Sequence, residues 1–431
     1  MPHRYRPAAL GLDGIEPHRR APFGHNPQVG ERGKATQQAF LHAALETFGE
    51  TSFHATSVEA IADRVGTSRA AFYQYFDSKD DVFRQLAYRF GAEMSSLLQN
   101  LAAIEPNRAG RHLIRGWLTD LAGIYDKYQP IARSWGDAVH RVPRLADASL
   151  ATSDRFMNEM AEALVVPDDS PVRGVVLADL TWSVAYGACF YRRSHLLVSV
   201  DRFADALADA IHRTIFGPME GVNIGPTVKR TTPRSRGLPG FDQPDLSRLR
   251  PKGRRTRERM LKAAAETFER LGYQQTRVAD ITGRAGLSHG AFYRYFDDKG
   301  HAFTELAAAA ASSMAELLIQ LPAPPGGITS WARDYVEEFD RHQSIFSMWQ
   351  SAGADGKSRA SEIVAALASS WADILETRGL GDVDADLPTF FALVEQFPSN
   401  RNTRFRFTDE ETATALALFM GRGLLARAAL D

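Results

Sequence analysis

The 431-residue sequence contains one cysteine, Cys189. It can close no internal disulfide and lacks the companions of a thiolate zinc site, a pattern that fits a reducing compartment. Long hydrophobic runs are missing too. No stretch approaches the roughly 18 uninterrupted apolar residues of a membrane span, and the opening MPHRYRPAAL is too short in apolar residues for a secretory signal. The expectation is a cytoplasmic protein with no membrane partner. Neither charge dominates: Lys+Arg 51 stand against Asp+Glu 52, and the net charge of -1 gives no hint of a polyanionic partner. The signatures of common catalytic sites are also absent, with no P-loop, G-x-S-x-G, H-E-x-x-H or strand-anchored G-x-G-x-x-G. His112, His140, His195 and His212 lie on separate helical stretches without ligand spacing, so neither metal, cofactor nor enzyme activity is expected.

What is present is repetition. With 44% hydrophobic and 24% charged residues the chain is globular, and its length suggests two to four domains. A shift of 220 lays Thr36 to Phe83 over Thr256 to Phe303 with 21 identities in 48 positions. That is well above the roughly 6% that composition alone gives. Trp117, Tyr125, Gln129, Ile131 and Trp135 match Trp331, Phe339, Gln343, Ile345 and Trp349 at a shift of 214, and Ala178-Asp179-Leu180 matches Ala385-Asp386-Leu387 at 207. One architecture of roughly 200 residues is used twice, with shorter loops in the second copy.

Local charge is uneven where global charge is not. Residues 1 to 35 carry a net +3, residues 218 to 259 a net +7, and residues 307 to 431 a net -7. The first two stretches are rich in proline, glycine and basic residues, and read as exposed arms before each copy. Lys229, Arg230, Arg234, Arg236, Arg248, Arg250, Lys252, Arg254, Arg255 and Arg257 could follow phosphates or enter a minor groove; the plainer alternative is a solvated linker.

Each copy reads as helical throughout. In the first, Phe40, Leu41, Ala44, Leu45 and Phe48 recur at helical spacing within Thr36 to Glu50. Thr56-Ser57 can cap a second helix, Gly66 suits a left-handed helix end, and Thr67-Ser68 can cap a third helix over Arg69 to Phe76. The second copy repeats these steps through Thr276-Arg277, Ile281, Gly286 and Ser288, then His289 to Phe296. Two short helices about a glycine turn describe a helix-turn-helix, whose second helix is narrow enough for a major groove. Phe72, Phe76, Phe292 and Phe296 are expected in the core.

The strings SRAAFYQYFDSKDDVF and SHGAFYRYFDDKGHAF are more specific than the turn. With Thr56, Ile61, Ala62, Gly66, Ser68, Tyr73, Tyr75, Phe76 and Lys79, and with Thr276, Ile281, Gly286, Ser288, Tyr293, Tyr295, Phe296 and Lys299, the sequence resembles the TetR family of bacterial transcriptional regulators. Val65 departs mildly from that pattern, and Thr282 and Gly283 weaken the middle helix of the second copy. The resemblance implies double-stranded operator DNA as partner. Ser68, Arg69 and Ala70, or Ser288, His289 and Gly290, would face base edges, with Gln74 and Arg294 distinguishing the copies. Thr56, Tyr73, Tyr75 and Lys79, with Thr276, Tyr293, Tyr295 and Lys299, would hold phosphates, and Arg254 and Arg255 would contact DNA from the arm.

The implied architecture is all-α: two helix-turn-helix domains, each followed by a helical effector and dimerisation domain, forming a pseudo-dimer in one chain. The expected boundaries are an arm over 1–33, the first helix-turn-helix domain over 34–94 (motif 57–76), an effector domain over 95–217, a linker over 218–253, the second helix-turn-helix domain over 254–314 (motif 277–296) and an effector domain over 315–431. Pro171 to Leu197 with Asp201 to Phe216 would pair with Ala385 to Phe397 and Thr408 to Ala429, so that a monomer binds DNA as a dimer would. The resemblance also implies an apolar small-molecule effector near Trp117, Tyr125, Trp135 and Trp182, or Trp331, Phe339, Trp349 and Phe391, although aromatic residues at helical spacing are usually core. Some tandem-fused members of that family are associated with lipid or sterol uptake and breakdown genes, which the resemblance offers as a regulon. The expected function is a ligand-responsive repressor reading two dissimilar half-sites of an asymmetric operator. The alternative is that only the first copy binds DNA while the second serves dimerisation and ligand binding.

Overall fold

The computed structural model describes residues 30–53, 55–99, 101–134, 156–196, 198–222, 247, 249–273, 275–322, 326–352, 359–377, 382–400 and 407–425. Among them no strand occurs, and the tandem all-α architecture expected from the repeat is what the chain adopts. In chain order the helices are α1 (Glu31–Thr51), α2 (Val58–Val65), α3 (Arg69–Tyr75), α4 (Lys79–Gln99), α5 (Arg108–Arg133), α6 (Gly174–Tyr191), α7 (Val200–Phe216), α8 (Pro251–Leu271), α9 (Val278–Ala285), α10 (His289–Phe292), α11 (Lys299–Ile319), α12 (Ile328–Ala352), α13 (Arg359–Thr377), α14 (Val383–Asn400) and α15 (Asp409–Leu418). Short π-helical segments, Arg192–Leu196 and Phe419–Leu424, continue α6 and α15.

Two element boundaries differ from those the sequence suggests. Helix α1 starts at Glu31, five residues before Thr36, because the good helix formers of ERGKATQQ extend it into the expected arm. The third helix of the second copy ends at Phe292, not Phe296. Gly290 weakens it, and Ser288 makes no side-chain cap, whereas Ser68 accepts from the Ala71 amide at the start of α3. Residues 293–295 form a turn instead.

The chain divides into two compact units, and the division falls inside α5. The first unit comprises residues 1–100 and 120–159. Its core is aromatic: Phe40, Phe72 and Phe76 are buried, with Phe40 meeting Phe72 edge-on at 5.5 Å and Phe76 at 6.0 Å. Each such buried ring contributes about 1.5–3 kcal/mol. The end of α5 closes against α4, where the Tyr128 hydroxyl donates to Glu93 at 2.7 Å and Lys127 to the same oxygen at 2.6 Å. Tyr128 leaves helical geometry at φ -109°, ψ 18°, a break that Pro130 accounts for by removing an amide donor and crowding the preceding turn.

The second unit comprises residues 101–119 and 160–431, so it takes α6 and α7 of the first copy together with the whole second copy. Helix α6 is buried on nearly all sides and accordingly has no polar face. It packs on α14, and close approach is the reason position 187 is glycine: a Cβ there would lie 3.0 Å from Ala392 Cβ and 3.1 Å from Gln396 Cβ. Tyr191 stacks on Phe391 at 4.8 Å. The Arg213 Nε of α7 donates to the Gly423 carbonyl at 2.9 Å, Arg202 forks onto Asp382 at 2.7 and 3.2 Å, and Arg173 donates to Glu411 at 2.6 Å. The helices expected to form an intramolecular pseudo-dimer therefore do meet. Burial pushes the carboxyl groups of Asp179 and Asp386, equivalent positions in the two copies, up to about 7.

Helices α6 and α11 are long and apolar enough, by length and composition, to cross a membrane, but 78% of the α6 window is buried inside the protein.

Candidate nucleic-acid interface

Each helix-turn-helix is built by local capping around a left-handed glycine. In the first, Ser57 accepts from the Ala60 amide at 3.1 Å to start α2. Gly66 ends it at φ 73°, which a glycine tolerates without strain. Ser68 then starts α3 by accepting from the Ala71 amide at 3.2 Å. In the second, the Arg277 amide donates to Asp280 at 2.9 Å, and Gly286 turns the chain at φ 60°. Buried Phe72 and Phe76, or Phe292 and Phe296, anchor the inner side of each third helix, as expected.

The outer side carries the residues assigned to base edges. Ser68, Arg69, Ala70 and Gln74 are exposed, as are Ser288, His289, Gly290 and Arg294. Tyr73 is 45% and Tyr293 53% exposed, unusual for large rings and suited to a phosphate contact. Tyr75 and Tyr295 are half-buried. The two outer faces differ in more than residue type. Arg69 donates to Glu59 at 2.5 Å and to the Tyr73 hydroxyl at 3.3 Å, and its guanidinium lies 5.5 Å from the centre of the Tyr73 ring. The hydrogen bond that Arg69 donates to Tyr73 leads the causes that raise its pKa, so the residue is fully charged. In the second copy Ala279 replaces Glu59 at the shift of 220, and His289 stands 5.2 Å from the Tyr293 ring with no equivalent carboxylate in that position.

Four residues assigned to phosphates sit elsewhere. The Thr56 hydroxyl donates to the Ser52 carbonyl at 2.7 Å and the Thr276 hydroxyl to the Gly272 carbonyl at 2.8 Å, and the two residues are 4% and 1% exposed. Turned inward, these hydroxyls cannot meet a phosphate. Lys79 donates to the Phe53 and Thr56 carbonyls at 2.9 and 3.0 Å, and Lys299 to those of Tyr273 and Thr276 at 2.8 and 3.0 Å. Each ammonium lies near a ring, 4.9 Å from Phe53 or 4.8 Å from Tyr273. These lysines tie the loop before the second helix to the start of the fourth. The signal was in the sequence: a lysine kept in both copies after an identical Tyr-x-Tyr-Phe serves a shared scaffold as readily as a shared ligand.

Arg254 and Arg255, expected in a flexible arm, are exposed on the opening turns of α8, where Pro251 presets the first helical φ. Arg254 donates to the Leu249 carbonyl at 3.2 Å. The rest of the expected arms, residues 1–29 and 223–246 with Arg248, lies outside the described residues. Sequence reasoning did not assign Arg277, which is exposed at the N-terminal cap of α9.

The aromatic positions assigned to an effector are mostly core. Trp117 is buried 6.5 Å from Trp182, Tyr125 is buried, and Phe339 stacks on Phe346 at 4.8 Å. The Trp331 indole donates to the Leu317 carbonyl at 2.8 Å. Trp135 and the Trp349 side chain lie outside the described residues. Phe391 differs, since it borders an internal space together with Trp371.

Two glycine-turned helix pairs, each with a buried aromatic side and an exposed polar one, define a protein carrying two helix-turn-helix units. The bacterial regulatory proteins of the tetR family match at residues 40–86 and again at 260–306. An uncharacterised HTH-type transcriptional regulator, YdgC of Bacillus subtilis (strain 168), is 40% identical over 58 residues, covering 14% of this chain and 30% of the relative. RutR of Escherichia coli (strain K12), an HTH-type transcriptional regulator, is 39% identical over 58 residues, covering 13% and 27%. A crystal structure assigned to a TetR-family transcriptional regulator of Mesorhizobium loti MAFF303099 aligns at 22% identity and a TM-score of 0.30, over 40% of this chain and 96% of that one. The chain thus spans less than a third of the curated relatives it matches. The likeness to the TetR family lies in the two helix-turn-helix units, one in each copy.

Proposed function

We propose that the protein is a sequence-specific DNA-binding transcriptional regulator in which both helix-turn-helix units of one chain read a single asymmetric operator. The observation carrying this reading is the contrast between two scaffolds that share buried phenylalanines, a left-handed turn glycine and a loop-holding lysine, and their unlike exposed faces: Arg69 and Gln74 in one, His289 and Arg294 in the other. A symmetric dimer presents one face twice and reads a palindrome. This chain presents two, so its half-sites should differ. Arg69 in the first copy and Arg294 in the second are each able to fork onto guanine, worth about 1–3 kcal/mol of discrimination. Tyr73, Tyr293, Arg277, Arg254 and Arg255 supply backbone contacts that set register without reading sequence.

Regulation is proposed as repression relieved by a ligand of the effector domains, 95–217 and 315–431. Release requires that the ligand bind one arrangement of the domains better than the other. A regulon of lipid or sterol uptake and breakdown genes rests on the family association alone. Footprinting of the full chain on the promoter neighbouring its own gene tests the DNA reading: two adjacent protected segments of unlike sequence are expected, with affinity falling steeply as salt rises. No protection at low salt would overturn it.

A second reading is favoured by one feature: α10 is a single uncapped turn where α3 has seven residues. On that reading only the first copy contacts DNA, and footprinting would protect one half-site.

A further inference from the structure

The two helix-turn-helix heads share a scaffold and carry opposite charge. Residues 30–83 hold five basic and eight acidic side chains, a net -3, while the equivalent residues 250–303 hold twelve and six, a net +6. A polyanion therefore meets two different surfaces.

The heads differ in the pairing of their cations as well as in the number. In the first, Lys34 is matched by Glu31 at 2.9 Å, Arg64 by Glu50 at 2.6 Å and Arg69 by Glu59 at 2.5 Å. Lys79 holds backbone carbonyls, which leaves Arg32 as the one cation of this head without a partner among the described residues. In the second head the positions of those three carboxylates are taken by Pro251, Arg270 and Ala279. Lys252, Arg254, Arg255 and Arg277 are exposed there, and none of them forms an ion pair among the described residues. Asp280, the acid nearest Arg277 in sequence, caps α9 by accepting from the Arg277 backbone amide at 2.9 Å. The opening turn of α8 carries three of these four cations and lies against the turn that follows α10: a Cβ at Gly253 would stand 3.6 Å from the Tyr295 hydroxyl. Unpaired positive charge is thus placed beside the residues assigned to base edges.

We infer that the heads divide the work of binding: the second is an electrostatic anchor for the phosphates of any duplex, and the first is a discriminator that adds affinity only at its own half-site. Each unpaired cation that meets a phosphate displaces condensed counterions and adds about 0.9 to the salt slope. The Arg69–Glu59 pair carries no net charge, so the field of the phosphates gives it no advantage. What it gains must come from a base edge. This division rests on the proposed DNA reading and adds to it which head carries which part.

The test is fluorescence anisotropy of the full chain, across a salt series, on two labelled duplexes: the footprinted operator and a scrambled sequence of equal length. An anchor variant combines Arg254→Ala, Arg255→Ala and Arg277→Ser, and a discriminator variant combines Lys34→Ala and Arg69→Ala. On the scrambled duplex the anchor variant is expected to lose about 2.7 from the salt slope and roughly thirtyfold or more in affinity near 0.1 M salt. The discriminator variant should stay within about threefold of the parent there, with its slope unchanged to about half a unit. Selectivity should respond the other way. The ratio of operator to scrambled affinity should hold within about threefold in the anchor variant and fall by about fivefold or more in the discriminator variant. Ala35→Arg, which copies Arg255 into the first head, should add about 0.9 to the slope. Together with the discriminator variant it decides the matter if the triple variant does not fold. Equal slope losses in the two variants, a larger loss in the discriminator, or an unchanged slope in the anchor variant would overturn the division and leave the DNA reading standing. A parent chain that binds neither duplex at any salt would overturn both.

Discussion

The two helix-turn-helix copies are alike inside and unlike outside. Phe72 and Phe292 are both fully buried, Gly66 and Gly286 both turn left-handed, and Lys79 and Lys299 hold the same two carbonyls by the same geometry. On the outer side one copy has an arginine gripped by Glu59 where the other has a histidine beside a tyrosine. After duplication, the scaffold was held by packing that tolerates little change, while the exposed face was free to diverge.

The largest effects should fall on that shared interior. Phe72→Ala and Phe292→Ala are each expected to destabilise by about 3–5 kcal/mol, measured by denaturant melting of the full chain. Near-equal losses sharpen the comparison. A negligible loss at Phe292 would break it, making the second copy a remnant. Next comes the contact that joins the copies within the second unit. A Cβ at Gly423 would collide with Thr214 Oγ1 and lie 2.9 Å from the Ala210 carbonyl, so Gly423→Val should cost about 1–3 kcal/mol or more by overpacking. An unchanged melting curve would show that the pairing of α7 with the chain's last described segment is loose.

Lys79→Met and Lys299→Met follow, at about 1.5–3 kcal/mol each for lost charge-assisted bonds. Their decisive readout is the salt dependence of DNA binding. A lysine that only holds a loop leaves the slope unchanged, whereas a phosphate ligand lowers it by about one. The smallest effect is expected from Glu59→Ala. Its exposed pair with Arg69 is screened by solvent, and freeing Arg69 should tighten binding at one half-site by roughly twofold. The reverse change, Ala279→Glu, should matter only at the other half-site.

Much of the fold was legible from sequence, because helical periodicity and an internal repeat are both long-range signals. The turn glycines, the buried phenylalanines and the helices that pair the copies could all be placed. The limits have physical causes. Thr56 and Thr276 look like phosphate ligands in sequence, but a threonine at the end of a loop can satisfy a local carbonyl as well. The short α10 depends on whether Ser288 caps, which sequence cannot settle, since Ser68 in the same pattern does. Glu395 was passed over because it belongs to no motif; what marks it is burial with a carboxylate oxygen left without a partner, a property of the packed state. The compact units likewise follow packing and not the repeat, giving α6 and α7 to the second copy.

The central claim, two reading heads with different preferences, is tested most directly by measuring base preference at every operator position for three proteins: the parent chain, Arg69→Ala, and a His289→Ala, Arg294→Ala double variant. Arg69→Ala should relax preference by about 1–3 kcal/mol at positions confined to one half-site, and the double variant should relax only the other. A palindromic operator whose two halves respond equally to either change would contradict the account.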